Sequence, residues 1–177
     1  MNLHSSDFEL FGLATQYSQD RDVIDARWKE LQRQAHPDRF AAQGAAAQRL
    51  AMQWSVRINE AYARLKDPLR RAAYLCELNA APVNAERNTA MSQAFLVQQM
   101  QWREALEAAQ DAETLNELSL QVASERRDML QKCEQLLDRE QAYQEAAQRV
   151  RALMFIERFG RDVEARLDQL QAPERGQ

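Results

Sequence analysis

The chain of 177 residues carries a formal net charge of −4, is 45% hydrophobic and 28% charged, and contains only 4 glycines and 4 prolines. That balance supports a buried core, and with a pI near 5.3 it argues against a general affinity for nucleic acid or anionic membrane. Good helix formers dominate and no run alternates Val, Ile or Thr, so the expected fold class is all-α.

The first helix is expected after Ser5 or Ser6, with Asp7 and Glu9 favourable at its positive end, and runs through "FELFGL". Gly12 keeps it short. In "TQYSQD", Ser18 or Asp20 caps a second helix, where Ile24, Trp28, Leu31 and Ala35 recur on one face and Arg27, Lys29 and Arg33 occupy the other. Pro37 lacks a backbone N–H and pushes His36 out of the α region, so this helix ends at or before His36. His36 and Asp38 are thereby left on a turn.

After the turn, "AAQGAAAQRL" leads into a third helix with Trp54, Ile58, Ala61 and Leu65 in one stripe. Pro68 disfavours helix at Asp67 and opens a fourth, "PLRRAAYLCELN". The polar stretch "AAPVNAERNT" reads as a linker. From about Met91 three longer patterns follow. The first aligns Phe95, Trp102, Leu106 and Ala109. The second, from about Ala112, aligns Leu115, Leu118, Val122, Met129, Cys133 and Leu136. The third, from about Arg139, aligns Ala146, Val150, Leu153, Ile156, Val163 and Leu167. Three amphipathic helices on short connections form an antiparallel bundle. The expected division is 1–76 for the front unit, 77–90 for the linker, 91–171 for the bundle and 172–177 for a frayed tail.

The apolar runs "AAYLC" and "LMFI" fall far short of the roughly 20 residues of a membrane helix. "MNLHSSDFEL" has no basic region followed by an apolar one, so no signal peptide is expected. Cys76 and Cys133 fall in helical patterns and read as buried thiols of a reducing compartment, which fits the cytoplasm. No catalytic residue and no cofactor stands out: there is no glycine-rich phosphate loop, nucleophile motif or HExxH. A metal site would have to gather His4, His36, Cys76 and Cys133 from four separate elements, so none is expected. Asp111 and Glu113 read as helix-start charges.

Leu96, Val97, Met100 and Glu104 fall a quarter to a half turn away from the stripe of Phe95 and Trp102. Phe155 likewise points away from the stripe of Val150, Leu153 and Ile156. A bundle helix needs one buried stripe, so the surplus apolar residues mark either a contact site or packing on the front unit.

"HPDRF" between a basic helix and a long one, followed by "INEAYARLKDPLRRAAYL", resembles the J-domain over residues 7–76. His36, Pro37 and Asp38 fit its signature loop. Ile58 to Tyr62, then Leu65, Asp67 and Pro68, fit its third-helix signature. "DFELFGL", "LQRQAHPDRF", "PLRRAAYL" and "AFLVQQMQWREAL" look like the HscB-type co-chaperones of iron–sulfur cluster assembly. That resemblance implies an N-terminal J-domain followed by a C-terminal three-helix bundle, of a bacterial type without metal.

The resemblance further implies a DnaK-like, HscA-type chaperone as partner, whose ATPase the J-domain stimulates without supplying a catalytic group. His36 and Pro37 would hold the turn, Asp38 would disturb a polar contact in the chaperone, and Arg27, Lys29 and Arg33 would meet an acidic surface. It also implies that the scaffold protein IscU binds at Leu96, Val97, Met100, Gln101, Glu104, Ala108 and Phe155. Gln101 and Ala108 stand where relatives often carry acids. The alternative is a J-domain adaptor for another client.

Overall fold

The computed structural model describes residues 5–83 and 91–171. His4, the second half of the expected linker and the expected tail lie outside the described residues. Everything regular among those described is helical.

Helix α1 (Asp7–Phe11) starts on a reciprocal cap: Ser6 Oγ accepts from the Glu9 N–H at 3.2 Å, and Glu9 Oε2 accepts from the Ser6 N–H at 2.8 Å. It stops at Gly12, whose φ of +63° is the left-handed geometry a helix end favours. Helix α2 (Arg21–Ala35) is capped by Asp20, of the two candidates, and ends where Pro37 requires. A 3-10 segment (Pro37–Gln43) bridges to α3 (Ala45–Lys66). This segment was not foreseen, because "AAQ" has no periodicity of its own. Helix α4 (Pro68–Leu78) opens on Pro68, with Asp67 accepting from the Arg70 N–H.

The pairing of α2 with α3 is written in their polar partners. Arg21 donates to the Lys66 carbonyl, Tyr62 donates to Asp25, Trp28 and Gln32 both donate to Asn59, and Gln32 reaches the Ser55 carbonyl. Partner numbers fall along α3 as they rise along α2, so the two helices are antiparallel. Trp28 stacks on Tyr62 with centroids 4.6 Å apart. At the other edge Asp7 is fully buried and lies 2.6 Å from an Arg57 guanidinium nitrogen and 2.7 Å from Arg64 Nε. Its backbone N–H donates to the Tyr74 hydroxyl at 3.0 Å. One acid therefore joins α1, α3 and α4.

The rear unit comprises α5 (Gln93–Ala108), α6 (Ala112–Glu134) and α7 (Tyr143–Gln171). Its core takes Leu115, Leu118, Val122 and Cys133 from α6, and Val150, Leu153, Ile156 and Val163 from α7. The last helix was expected from about Arg139 but begins at Tyr143. Helix α6 runs on instead as a π-helical turn, Gln135–Arg139, which buries Leu136 and Leu137 together before Gln141 breaks the chain direction at φ +53°.

Helix α4 lies against α7 and the π-turn, so front and rear units share an apolar boundary. Cys76 and Cys133 are fully buried in it, and burial pushes their thiols up to about 11 and about 12.

Asp7→Asn should lower stability by about 3 kcal/mol, because a buried pair loses one partner. Arg64→Ala leaves the buried Asp7 carboxylate with Arg57 still beside it and should cost less, about 2 kcal/mol; urea titration of both variants checks the ordering. The folded state holds thiol protons that the unfolded chain releases. Stability present below about pH 9 should therefore fall as pH rises towards 11, with no reaction of either native thiol towards a disulfide reagent at pH 8.

Candidate functional site

The turn after α2 is built by its own residues. His36 adopts φ −62° and ψ 124°, the extended geometry that a following proline imposes. Its Nδ1 accepts from the Asp38 N–H at 3.3 Å, and its carbonyl accepts from the Arg39 N–H at 3.1 Å. Pro37 starts the 3-10 segment. The Asp38 side chain is 90% exposed, with its Oδ2 3.7 Å from His36 Nδ1. Among the described residues no arginine or lysine pairs with it. The result is a carboxylate on a stiff corner, open to an incoming cation.

Arg27 stands apart from Lys29 and Arg33 on α2. Lys29 is exposed. Arg33 is exposed and pairs with Glu30 one turn earlier. Arg27 diverges from both, with its guanidinium 4.0 Å from the position a Cβ would take on Gly12, at the end of α1. The corner also holds a residue the sequence reading passed over, Arg39, which donates to the Arg33 carbonyl at 3.1 Å and ties the turn back to α2. Its place next to Asp38 was the available signal. Behind the corner Phe40, Ala35, Leu50 and Trp54 line an apolar hollow of about 300 Å³.

The second surface is on α5. Leu96, Val97 and Met100 are 45%, 48% and 62% exposed, and Gln101, Glu104 and Ala108 are exposed beside them. The opposite face buries Phe95 and Trp102. Phe155 of α7 is half-buried at the margin. Its ring meets Phe95 edge-on at 5.8 Å and stacks on Phe159 at 6.1 Å, while Trp102 stacks on Phe159 at 5.4 Å. These rings dock α5 on α7. The Arg103 guanidinium lies 5.8 Å from the Phe155 ring centroid, so a cation flanks the patch. Its spacing of three residues from Met100 could have placed it there.

His36, Cys76 and Cys133 are not brought together: the imidazole is on the exposed corner and the thiols are in the boundary between the units. Among the described residues no helix is long and apolar enough to cross a membrane, and no three His, Cys, Asp or Glu side chains gather as a ligand set.

Comparison with known proteins covers nearly the whole chain. Residues 91–164 match the family described as the HSCB C-terminal oligomerisation domain. A co-chaperone protein HscB homolog of Burkholderia multivorans is 47% identical over 174 residues, which cover 97% of this chain and 99% of that one. The homolog of Burkholderia cenocepacia is 46% identical over the same shares. Chaperone HscB from Vibrio cholerae superposes with a TM-score of 0.81 at 34% identity, covering 94% of this chain and 99% of that one. The crystal structure of human co-chaperone protein HscB shares the fold, with a TM-score of 0.85 at 21% identity over 98% and 85% of the two chains.

Asp38→Asn should leave the unfolding free energy from urea titration within about 0.5 kcal/mol of the parent, since nothing packs on that side chain. Phe155→Ala should cost about 2 kcal/mol, because two ring contacts go with it. Tryptophan emission should also change, because Phe159, on which Trp102 stacks, loses its own stacking partner.

Proposed function

The chain belongs to the HscB family of co-chaperones, and on that premise we propose that it is an adaptor of iron–sulfur cluster assembly, binding the scaffold protein IscU and a DnaK-like, HscA-type chaperone ATPase. The corner of His36, Pro37 and Asp38 engages the chaperone, with Lys29 and Arg33 steering the approach and Arg27 playing a lesser part because it points elsewhere. The scaffold sits on Leu96, Val97, Met100, Gln101, Glu104 and Phe155. ATP hydrolysis belongs to the partner.

The observation that carries this reading is the pair of unsatisfied surfaces on one molecule: an open carboxylate on a stiff corner and an exposed apolar patch on α5. A charge-assisted bond to an arginine fork suits the first, and desolvation of aliphatic side chains suits the second. Holding two partners on one body converts the second encounter into an effectively intramolecular one. The free thiols of Cys76 and Cys133 fit a cytoplasmic setting.

A second reading keeps the chaperone and changes the client. Gln101 and Ala108 bring no charge and Arg103 adds a cation beside Phe155, so the patch also suits a client other than IscU.

Stimulation of the chaperone's steady-state ATPase should be lost in Asp38→Asn; equal stimulation by that variant would contradict the assignment. Leu96→Ala with Met100→Ala should weaken capture of the purified scaffold by about 100-fold. Undiminished scaffold capture would move the client site elsewhere, and capture of a different client by the parent chain alone would favour the second reading.

A further inference from the structure

The two surfaces lie on different units, so their coupling depends on what fixes one unit against the other. The apolar contact of α4 with α7 supplies attraction but little direction, since hydrophobic burial is roughly proportional to area and indifferent to small rotations. The directional contact is polar. Asp138, in the π-turn, accepts the Tyr17 N–H on Oδ1 at 2.6 Å and the Ser18 N–H on Oδ2 at 2.8 Å. These partners lie 121 and 120 residues away in sequence. Both oxygens of one carboxylate are thus used by adjacent amides, an arrangement that admits a single approach angle.

Tyr17 is itself held. Its carbonyl accepts from Arg71 Nε at 2.7 Å, and the Arg71 guanidinium lies 5.1 Å from its ring centroid. A second tie crosses the boundary where α7 meets the chain following α4: Arg151, 7% exposed, donates to the Val83 carbonyl at 2.8 Å. Ser18 precedes the α2 cap Asp20 by two residues. The carboxylate therefore grips the base of a helix whose far end is the His36–Asp38 corner. Fifteen residues of helix make a lever of about 22 Å, and a tilt of about 10° at its base would move the corner by roughly 4 Å.

We propose that Asp138 is a positioning residue: its carboxylate, clamped on the Tyr17 and Ser18 amides, fixes the direction of α2 relative to the bundle and so the placement of the chaperone-facing corner against the scaffold-facing patch. The coupling half of this inference rests on the adaptor reading; the geometric half does not.

The test has an arm for each half. Exposed Ala26 of α2 and Gln121 of α6 are replaced by cysteine (Ala26→Cys, Gln121→Cys) and spin-labelled, with the native thiols fully buried. The distance distribution between the labels is then measured without any partner. Asp138→Ala should widen it about twofold or more; Asp138→Asn, which keeps one acceptor, should widen it less. In the second arm the chaperone's ATPase is followed with and without scaffold. Asp138→Ala should keep the scaffold-free stimulation and the scaffold capture of the parent, and lose about fivefold or more of the extra stimulation that scaffold brings. An unchanged distribution in both variants overturns the clamp. A widened distribution with undiminished scaffold-dependent gain overturns its role in coupling. A parent chain that neither stimulates nor captures refutes the adaptor reading and the coupling built on it, and leaves the clamp to stand or fall on the distances. Unchanged circular dichroism separates each of these from simple unfolding.

Discussion

Helix α4 packs on both units at once, and the rest of the structure depends on that shared burial. One edge closes the front core, where Tyr74 stacks on Phe8 at 5.9 Å and its hydroxyl takes the Asp7 N–H. The other edge lies on α7 and the π-turn. Leu69, Ala72, Leu75 and Cys76 are all buried in a helix of 11 residues, too short to stand alone in water. Its stability is therefore tertiary. The same contact that keeps α4 helical keeps the two units together, and a substitution that loosened it would act on both. Asp7 makes the front side equally unforgiving, since a buried carboxylate without its two arginines is far costlier than a missing methyl group.

The two exposed surfaces use different physics. Asp38 lies in high dielectric, where a single charge pair contributes little net affinity and is screened by salt. Its value to a partner lies in geometry: His36, Pro37 and the bond from Arg39 to the Arg33 carbonyl leave the corner few ways to move. The α5 patch has the opposite character. Leu96, Val97 and Met100 have aliphatic area to lose on contact, which lengthens residence once a partner has docked. A charge in fixed geometry on one unit and an apolar patch on the other suit two different partners, as the proposed adaptor role requires.

Much of this was legible in the chain. Periodicity located every long helix, because stripes such as Ile24, Trp28 and Leu31, or Val150, Leu153 and Ile156, repeat at helical spacing. Pro37 fixed the end of α2 through its own sterics. The same periodicity set Leu96 and Met100 apart from Phe95: Phe95 is buried as expected, while Leu96 and Met100, left open between a contact surface and packing on the front unit, are exposed. What stayed hidden was of two kinds. Arg27 was grouped with Lys29 and Arg33 as one face, although at about 100° per residue Lys29 lies roughly 200° around the helix from it; what the chain could not give is the place of its guanidinium beside Gly12 at the end of α1. The clamp of Asp138 on Tyr17 and Ser18 was invisible for a different reason. It joins a carboxylate to backbone amides, which every residue carries, so no residue type at either end signals the pair. The π-turn belongs with it, since a local widening of the helix that seats both Leu136 and Leu137 follows from the surface beneath and not from propensity.

Phe155 ties these points together. It was singled out for facing away from its helix's stripe, and it does emerge at the surface, yet its ring is wedged between Phe95 and Phe159. Helix α5 rests on α7 largely through this group of rings with Trp102. The surface a partner would meet is therefore shaped by the contacts that dock α5. Loss of the Phe155 ring would remove contact area and shift Leu96 and Met100 in the same step, whereas truncating Leu96 or Met100 removes contact area alone. The division follows from where the ring lies, half in the core and half out of it, and it makes the aliphatic pair the cleaner probe of the surface and the aromatic residue a probe of its support.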